Sequence, residues 1–225
     1  MTQSWHDLLF AHWPVSARDL RDRVPSGLEI ELFDNQAWLG IVPFRMTNVA
    51  PRGTPALPFV SSFNELNVRT YVTRNDAPGI YFFSLDADSQ LAVSVARTMF
   101  RLPYFLAQMT LNAAAENIQF ASRRTSSDAR AELGIAYRPS GPVSEPLRGT
   151  LEHFLTERYC LYTVDDAFEL YRLDIHHAPW PLQPAEAEIR DNTMADAAGV
   201  RLPSMQPLLH FSKRQDMVAW PLTRI

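Results

Sequence analysis

One cysteine, one lysine and eight glycines in 225 residues exclude a good deal of chemistry at once. Cys160 has no partner for an intrachain disulfide and no neighbouring Cys or His at metal-ligand spacing, so neither a disulfide framework nor a structural zinc site is expected. No metal or other cofactor is called for. No two glycines fall within five positions of each other, which removes the Gly-rich dinucleotide turn and the P-loop. GxSxG and HExxH are missing as well. Lysine is the scarcest basic residue, since twenty of the twenty-one are arginine and only Lys213 is not. An amine nucleophile therefore has a single candidate. It sits beside Arg214, where a polar turn is expected between strands Leu208 to Lys213 and Met217 to Leu222.

Long apolar runs are missing too. The longest uncharged stretch, Leu102 to Ala115, has fourteen residues and contains Pro103, short of the ~18 to 20 that a membrane-spanning helix requires. The opening MTQSWHDLLFAHWPV has no basic leader region, and Asp7 interrupts its hydrophobicity, so no signal peptide is expected and a cytoplasmic location is. Twenty-one basic and twenty-five acidic residues give a net charge of -4, with the arginines scattered, which argues against a nucleic-acid partner.

What is present is a core-forming composition: 46% hydrophobic, 11% aromatic and 20% charged residues, consistent with one domain over residues 1–225. Seventeen prolines punctuate short segments, several of which alternate with period two. Leu28, Ile30 and Leu32 alternate with glutamates, Asp34 to Gln36 offers a turn, and Trp38 to Val42 resumes, which predicts a hairpin. A second hairpin is predicted from FNELNVRTYV through Asn75 to Gly79 into GIYFFSLDA. A helix capped by Asp88 or Ser89 is predicted to carry Leu91, Val95, Ala96 and Met99 on one face and to stop before Pro103, and a shorter one starts at Thr150 with Leu151, Phe154 and Leu155 inward. Further strands are expected at 116–124, 131–137, 159–164 and 168–175. The sum predicts an α+β protein, predominantly antiparallel, on a curved or closed β-barrel with a few short helices.

The segment Phe63 to Val72 carries the most chemistry. As a strand it places Leu66, Val68 and Val72 on one face and Phe63, Glu65, Asn67, Arg69 and Tyr71 on the other. An acid, an amide and a guanidinium thus recur about 7 Å apart, between aromatic rings. Turned inward, such a row must be paired or must hold a ligand, and an arginine there is suited to a carboxylate or phosphate; turned outward, it is a solvated polar row. Arg97, Arg101 and Tyr104 are candidates for the same cavity. Tyr159, Tyr162, Tyr171 and Trp180 read as core or cavity wall, Cys160 as packing, and His176 and His177 as one exposed and one buried residue.

Taken together, FNELNVRTYV, APGIYFFSLDA, RLPY, LEHFLTERYCLYT, HHAPWPL and LLHFSKRQDMVAWPL resemble the YqjF-like family of uncharacterised bacterial proteins over essentially the whole chain. That family resembles, more distantly, the acetoacetate decarboxylase superfamily, which implies a cone-shaped, largely antiparallel barrel around a pocket. In those enzymes a lysine just after a proline forms a Schiff base with the oxo acid, and a strand glutamate lines the pocket. Here RTMFRLPYFLAQM places Tyr104 after Pro103, so the nucleophile is missing, while Glu65 resembles the pocket glutamate.

Three functions follow. The first is a binder of a small anionic, carboxylate-like molecule, with Asn67, Arg69, Tyr71 and Arg97 as ligand-binding residues and no membrane or nucleic-acid partner. The second is a lysine-independent enzyme of lyase or isomerase type, with Glu65 and Tyr104 as catalytic residues. The third is a non-catalytic assembly protein with a filled barrel. The distant resemblance is compatible with a homo-oligomer.

Overall fold

A computed structural model describes residues 1–53, 61–127 and 129–225. In chain order the elements are β1 (Thr2–Val15), α1 (Ala17–Arg21), β2 (Glu29–Ile30), β3 (Ala37–Ala50), β4 (Phe63–Arg74), β5 (Ala77–Ala87), α2 (Gln90–Phe100) and β6 (Tyr104–Ala114). There follow β7 (Asn117–Arg124), β8 (Glu132–Pro139), α3 (Leu151–Thr156), β9 (Cys160–Val164), β10 (Leu170–His177), β11 (Gln183–Asn192), α4 (Met194–Ala197), β12 (Leu208–Ala219) and β13 (Thr223–Arg224).

Five adjacent strands, β12-β1-β3-β4-β5, form a shared wall that closes on itself twice. Each outer strand divides its free edge between two partners. β5 pairs with β9 through Ile80 and Tyr81 and with β6 through Leu85 to Ala87, both parallel. β12 pairs with β11 at His210 and Phe211 and with β10 from Met217 to Ala219. One ring therefore runs through β9 and β10, the other through β6, β7, β8 and β11; the pairings outside the two on β5 are antiparallel. Closure leaves the wall buried on both faces, and its side chains alternate between two cores. Leu8, Phe10, Val42, Phe44 and Tyr71 face the β9–β10 ring, and Leu9, Ala11, Ile41, Leu66 and Val68 face the other.

The predicted α+β class and curved, closed, mainly antiparallel sheet are what the chain adopts, and the β4–β5 hairpin turns at Asn75 and Asp76, both with positive φ (50° and 59°) as its tight turn requires. Four expectations need correction. The arm at residues 28–32 does not pair with β3, because β1 and β4 already occupy both edges of β3; Glu29–Ile30 pairs instead with Val72 and Thr73 of β4. β12 is one continuous strand without a turn at Lys213, since its polar segment stays in register with β1, Ser212 opposite Leu8 and Gln215 opposite Trp5. Strands β1, β6 and β11 were not anticipated: β1 is apolar on both faces and shows no alternation, and β11 presents small Ala185 and Ala187 inward. Finally, α2 is capped by Ser89 as predicted, but Leu91 (55%), Val95 (40%) and Met99 (65%) are exposed and only Val93 is buried. The helix lies across the open end of a ring and packs little of its apolar stripe.

Candidate functional site

The β9–β10 ring encloses a cavity of about 240 Å³. Glu65, Asn67 and Arg69 of β4 line it, joined by Tyr104 at the start of β6. The alternation that buries Leu66 and Val68 in the opposite core is what turns these three inward. Most of the remaining wall is apolar, with Phe44, Phe82, Leu85, Leu173, Ile175 and Met217 among it. α2 contributes Leu91, Val95 and Phe100 at the mouth.

Tyr104 reaches the cavity because α2 ends abruptly. Arg101 adopts the left-handed conformation (φ 53°), its carbonyl accepts from Thr163 Oγ1 at 2.6 Å, and the chain re-enters the sheet after Pro103 with Tyr104 opposite Leu85. The phenol then donates to Glu65 Oε2 at 2.7 Å. Burial pushes the Glu65 carboxyl up to about 8, against the hydrogen bonds from Tyr104 and Asn67, which favour the ionised form. At neutral pH Glu65 is therefore chiefly protonated and can donate a hydrogen bond. Burial and the adjacent Glu65 also raise the Tyr104 phenol well above its ordinary value, so it acts as a neutral donor.

Arg69 occupies the other end of the polar row. Its side chain is 7% exposed at the residue level, Nη2 donates to the Leu155 carbonyl in α3 at 3.2 Å, and the guanidinium lies 5.2 Å from the Phe10 ring centroid. Among the described residues it forms no ion pair, and its Nε has no hydrogen-bond partner. Nearby Arg158, also buried, pairs with Glu31 at 2.5 Å. The same Leu155 carbonyl accepts from Tyr71 at 2.8 Å, so the Tyr71 oxygen accepts from His12 Nε2 at 2.6 Å. Burial, and after it the charge of Arg69, holds His12 well below its ordinary value and thus neutral. Gly40 makes room for this arrangement: a Cβ there would lie 3.1 Å from the His12 ring and 3.4 Å from Arg69 Cγ.

On the same lining, Oδ1 of Asn67 and Nε1 of Trp180 are buried and have no hydrogen-bond partner among the described residues. Trp180, which the sequence reads as core or cavity wall, stands on the wall, and its unpaired indole N–H is a feature that an aromatic among prolines does not reveal.

The structure thus brings Glu65, Asn67, Arg69 and Tyr104 to one cavity. Tyr71 and Arg97, expected among the ligand-binding residues, are not on its lining. Tyr71 is fully buried behind Arg69, and its hydroxyl is consumed by His12 and Leu155. Arg97 is exposed; its Nε donates to the Tyr104 carbonyl at 2.6 Å and its head lies over Phe105, so it holds Tyr104 from outside. Lys213 is likewise off the lining, with Nζ 2.5 Å from the buried Asp7 carboxylate. His177 is buried and stacks on Tyr159 at 4.7 Å while His176 is exposed, and the buried Cys160 donates to the Pro78 carbonyl. Among the described residues no three His, Cys, Asp or Glu are placed to hold a metal ion, and no helix is long and apolar enough to cross a membrane.

A family model described as an uncharacterized conserved protein, DUF2071, matches residues 2–216. The chain belongs to the DUF2071 family. It is 50% identical over 224 residues to the uncharacterized protein YqjF of Bacillus subtilis (strain 168), covering all of this chain and 92% of the relative. Among solved structures, this DUF2071 chain is similar to the enduracididine biosynthesis enzyme MppR, with a TM-score of 0.71 at 11% identity over 99% of this chain and 88% of that one. It is also similar to the acetoacetate decarboxylase of Legionella pneumophila, with a TM-score of 0.66 at 12% identity over 100% and 87% of the two chains. At these identities the likeness is one of fold, the acetoacetate decarboxylase-like fold.

Proposed function

We propose that this DUF2071 protein binds a small carboxylate-bearing molecule in the β9–β10 ring, without forming a Schiff base with it. The observation that carries this reading is Arg69: a buried guanidinium facing a cavity, with no partner for its Nε and no ion pair among the described residues. A buried cation left unpaired is costly, and an incoming anion removes that cost while gaining a charge-assisted hydrogen bond. With Glu65 protonated, Arg69 is the one charged side chain on the lining among the described residues, which favours a ligand with a single negative charge. No lysine lines the cavity. MppR, of the same fold, has been solved with pyruvate, a small carboxylate. We place the protein in the cytoplasm, in keeping with its lone cysteine.

The test is thermal unfolding against oxo acids, short carboxylates, phosphates and aromatic acids, with Arg69→Ala alongside. A ligand at a hundred times its dissociation constant adds about 2.7 kcal/mol and moves the midpoint by a few degrees. The expected result is a shift with carboxylates that Arg69→Ala abolishes; the same shift in the variant would overturn the reading.

A second reading, an enzyme that uses Glu65 as general acid, draws on the Glu65 carboxyl at about 8 and its 2.7 Å contact with Tyr104. Its signature is a ligand that Glu65→Gln still binds but no longer turns over. The unfilled space beside Arg69 weighs against the filled-barrel assembly reading.

A further inference from the structure

We propose that the ligand is a monocarboxylic acid with a wholly apolar tail of about five to eight carbons, its head at Arg69 and its tail running toward α2; this rests on the carboxylate reading above.

The first ground is the distribution of polarity. Glu65, Asn67 and Arg69 all project from one strand, and Tyr104 donates its hydroxyl to that same row. Phe44, opposite Glu65 on β3, and Phe82, opposite Arg69 on β5, flank the row, and Leu173, Ile175 and Met217 of β10 and β12 stand across the cavity; none of these five offers a ligand a hydrogen bond, and the Trp180 indole N–H is a lone donor beside them. A sugar, an amino acid or a dicarboxylate would leave polar groups unpaired against that wall, at a cost of kilocalories for each group. An apolar chain meets no such penalty.

The second ground is size. An apolar cavity of about 150 Å³ takes up benzene, so one of 240 Å³ accommodates roughly ten non-hydrogen atoms. A carboxylate uses three of them, which leaves about seven for the tail. Acetate would fill less than half of the space and pyruvate about six-tenths of it.

The third ground is direction. Arg69 is tied to α3 through the Leu155 carbonyl, at the end of the row away from α2, whereas the exposed Leu91 and Val95 of α2 line the mouth. Exposed apolar side chains that continue a cavity wall to the surface suit the entry and the far end of a hydrocarbon tail.

The experiment is isothermal titration calorimetry of the full chain with acetate, butanoate, hexanoate, octanoate and pyruvate below their micellar concentrations, and with 1-octanol and methyl octanoate as uncharged analogues. Affinity is expected to rise about two- to fourfold per methylene from butanoate to octanoate. Octanoate should bind at least tenfold more tightly than pyruvate or octanol. Arg69→Met should bring octanoate down to the level of octanol. Ala96→Phe, on the solvent-accessible helix at the mouth, should weaken octanoate and spare butanoate. Pyruvate or butanoate binding as well as octanoate, or Ala96→Phe weakening both acids alike, would overturn the tail and leave the carboxylate reading standing. Octanol or methyl octanoate matching octanoate, or no acid binding at all, would overturn both.

Discussion

The two faces of the β12-β1-β3-β4-β5 wall are built from alternate residues of the same strands and yet have opposite characters. On one face Leu9, Leu39, Leu66 and Phe211 are wholly or almost wholly buried against Phe120 and its neighbours of β7 in a side-chain core, and a buried charge there is matched: Arg124 holds the Asp86 carboxylate through two hydrogen bonds of 2.9 and 2.6 Å. On the other face the aromatic and aliphatic residues stand back around a 240 Å³ space, and Glu65 and Arg69 sit at opposite ends of a row without an ion pair among the described residues. One face is arranged for stability. Both faces keep buried polar atoms without partners among the described residues, but those of the filled face, Ser84 Oγ and Ser122 Oγ, are enclosed in packing, whereas Asn67 and Arg69, which carry Oδ1 and Nε, line the open space.

The sharpest way to break this contrast is to remove one charge from each side. Arg124→Met strands the buried Asp86 carboxylate and is expected to cost about 3 to 5 kcal/mol in urea unfolding. Arg69→Met removes a guanidinium with no carboxylate partner and should leave stability within about 1 kcal/mol of the wild type, or raise it. Comparable losses in the two variants would mean that Arg69 is as structurally committed as Arg124.

Packing offers the next comparison. Leu66→Ala in the filled core is expected to cost about 2 to 5 kcal/mol, whereas Leu173→Ala on the cavity wall, where neighbouring contacts are already missing, should fall at or below the low end of that range. Denaturant midpoints at equal slope would rank the two.

A pH series sharpens the contrast further. Glu65 has a folded value near 8 against 4.5 when unfolded. Below pH 4.5 both states hold the proton and nothing changes. Between 4.5 and about 8 only the unfolded chain releases it, so the wild type should lose up to about 1.4 kcal/mol per pH unit relative to Glu65→Gln, and the deficit should then level off. Thermal melts of both proteins from pH 4 to 9 measure it; parallel curves would mean that Glu65 is ionised in the fold. Ligand affinity should weaken over the same rise through pH 8 in the wild type alone, as a second negative charge appears in the cavity.

The smallest effect is expected at Gly40. Gly40→Ala presses a methyl group against His12 and Arg69 and should cost about 1 kcal/mol, with a several-fold loss of carboxylate affinity in calorimetry. Unchanged affinity would show that Arg69 keeps its position despite the added methyl group.

What the sequence determined by itself follows from local rules. Period-two alternation in β4 sorted Leu66 and Val68 from Glu65, Asn67 and Arg69, and Asn75-Asp76 marked a tight turn because their side chains tolerate positive φ. Ser89 and Thr150 announced helix starts through side-chain oxygens that accept backbone N–H groups. The absence of lysine after Pro103 excluded a Schiff base at that position. Only the tertiary structure decided the rest. Strand β1 shows no alternation because closure of the sheet buries both its faces, a property of its neighbours. Arg97 and Tyr71 could not be separated from true cavity residues by spacing, since one is turned outward by the end of α2 and the other is claimed by His12, fifty-nine positions away. The same limit applies to the cavity itself: alternation states which side chains point inward, but whether they meet or leave room depends on how far apart closure holds the facing strands.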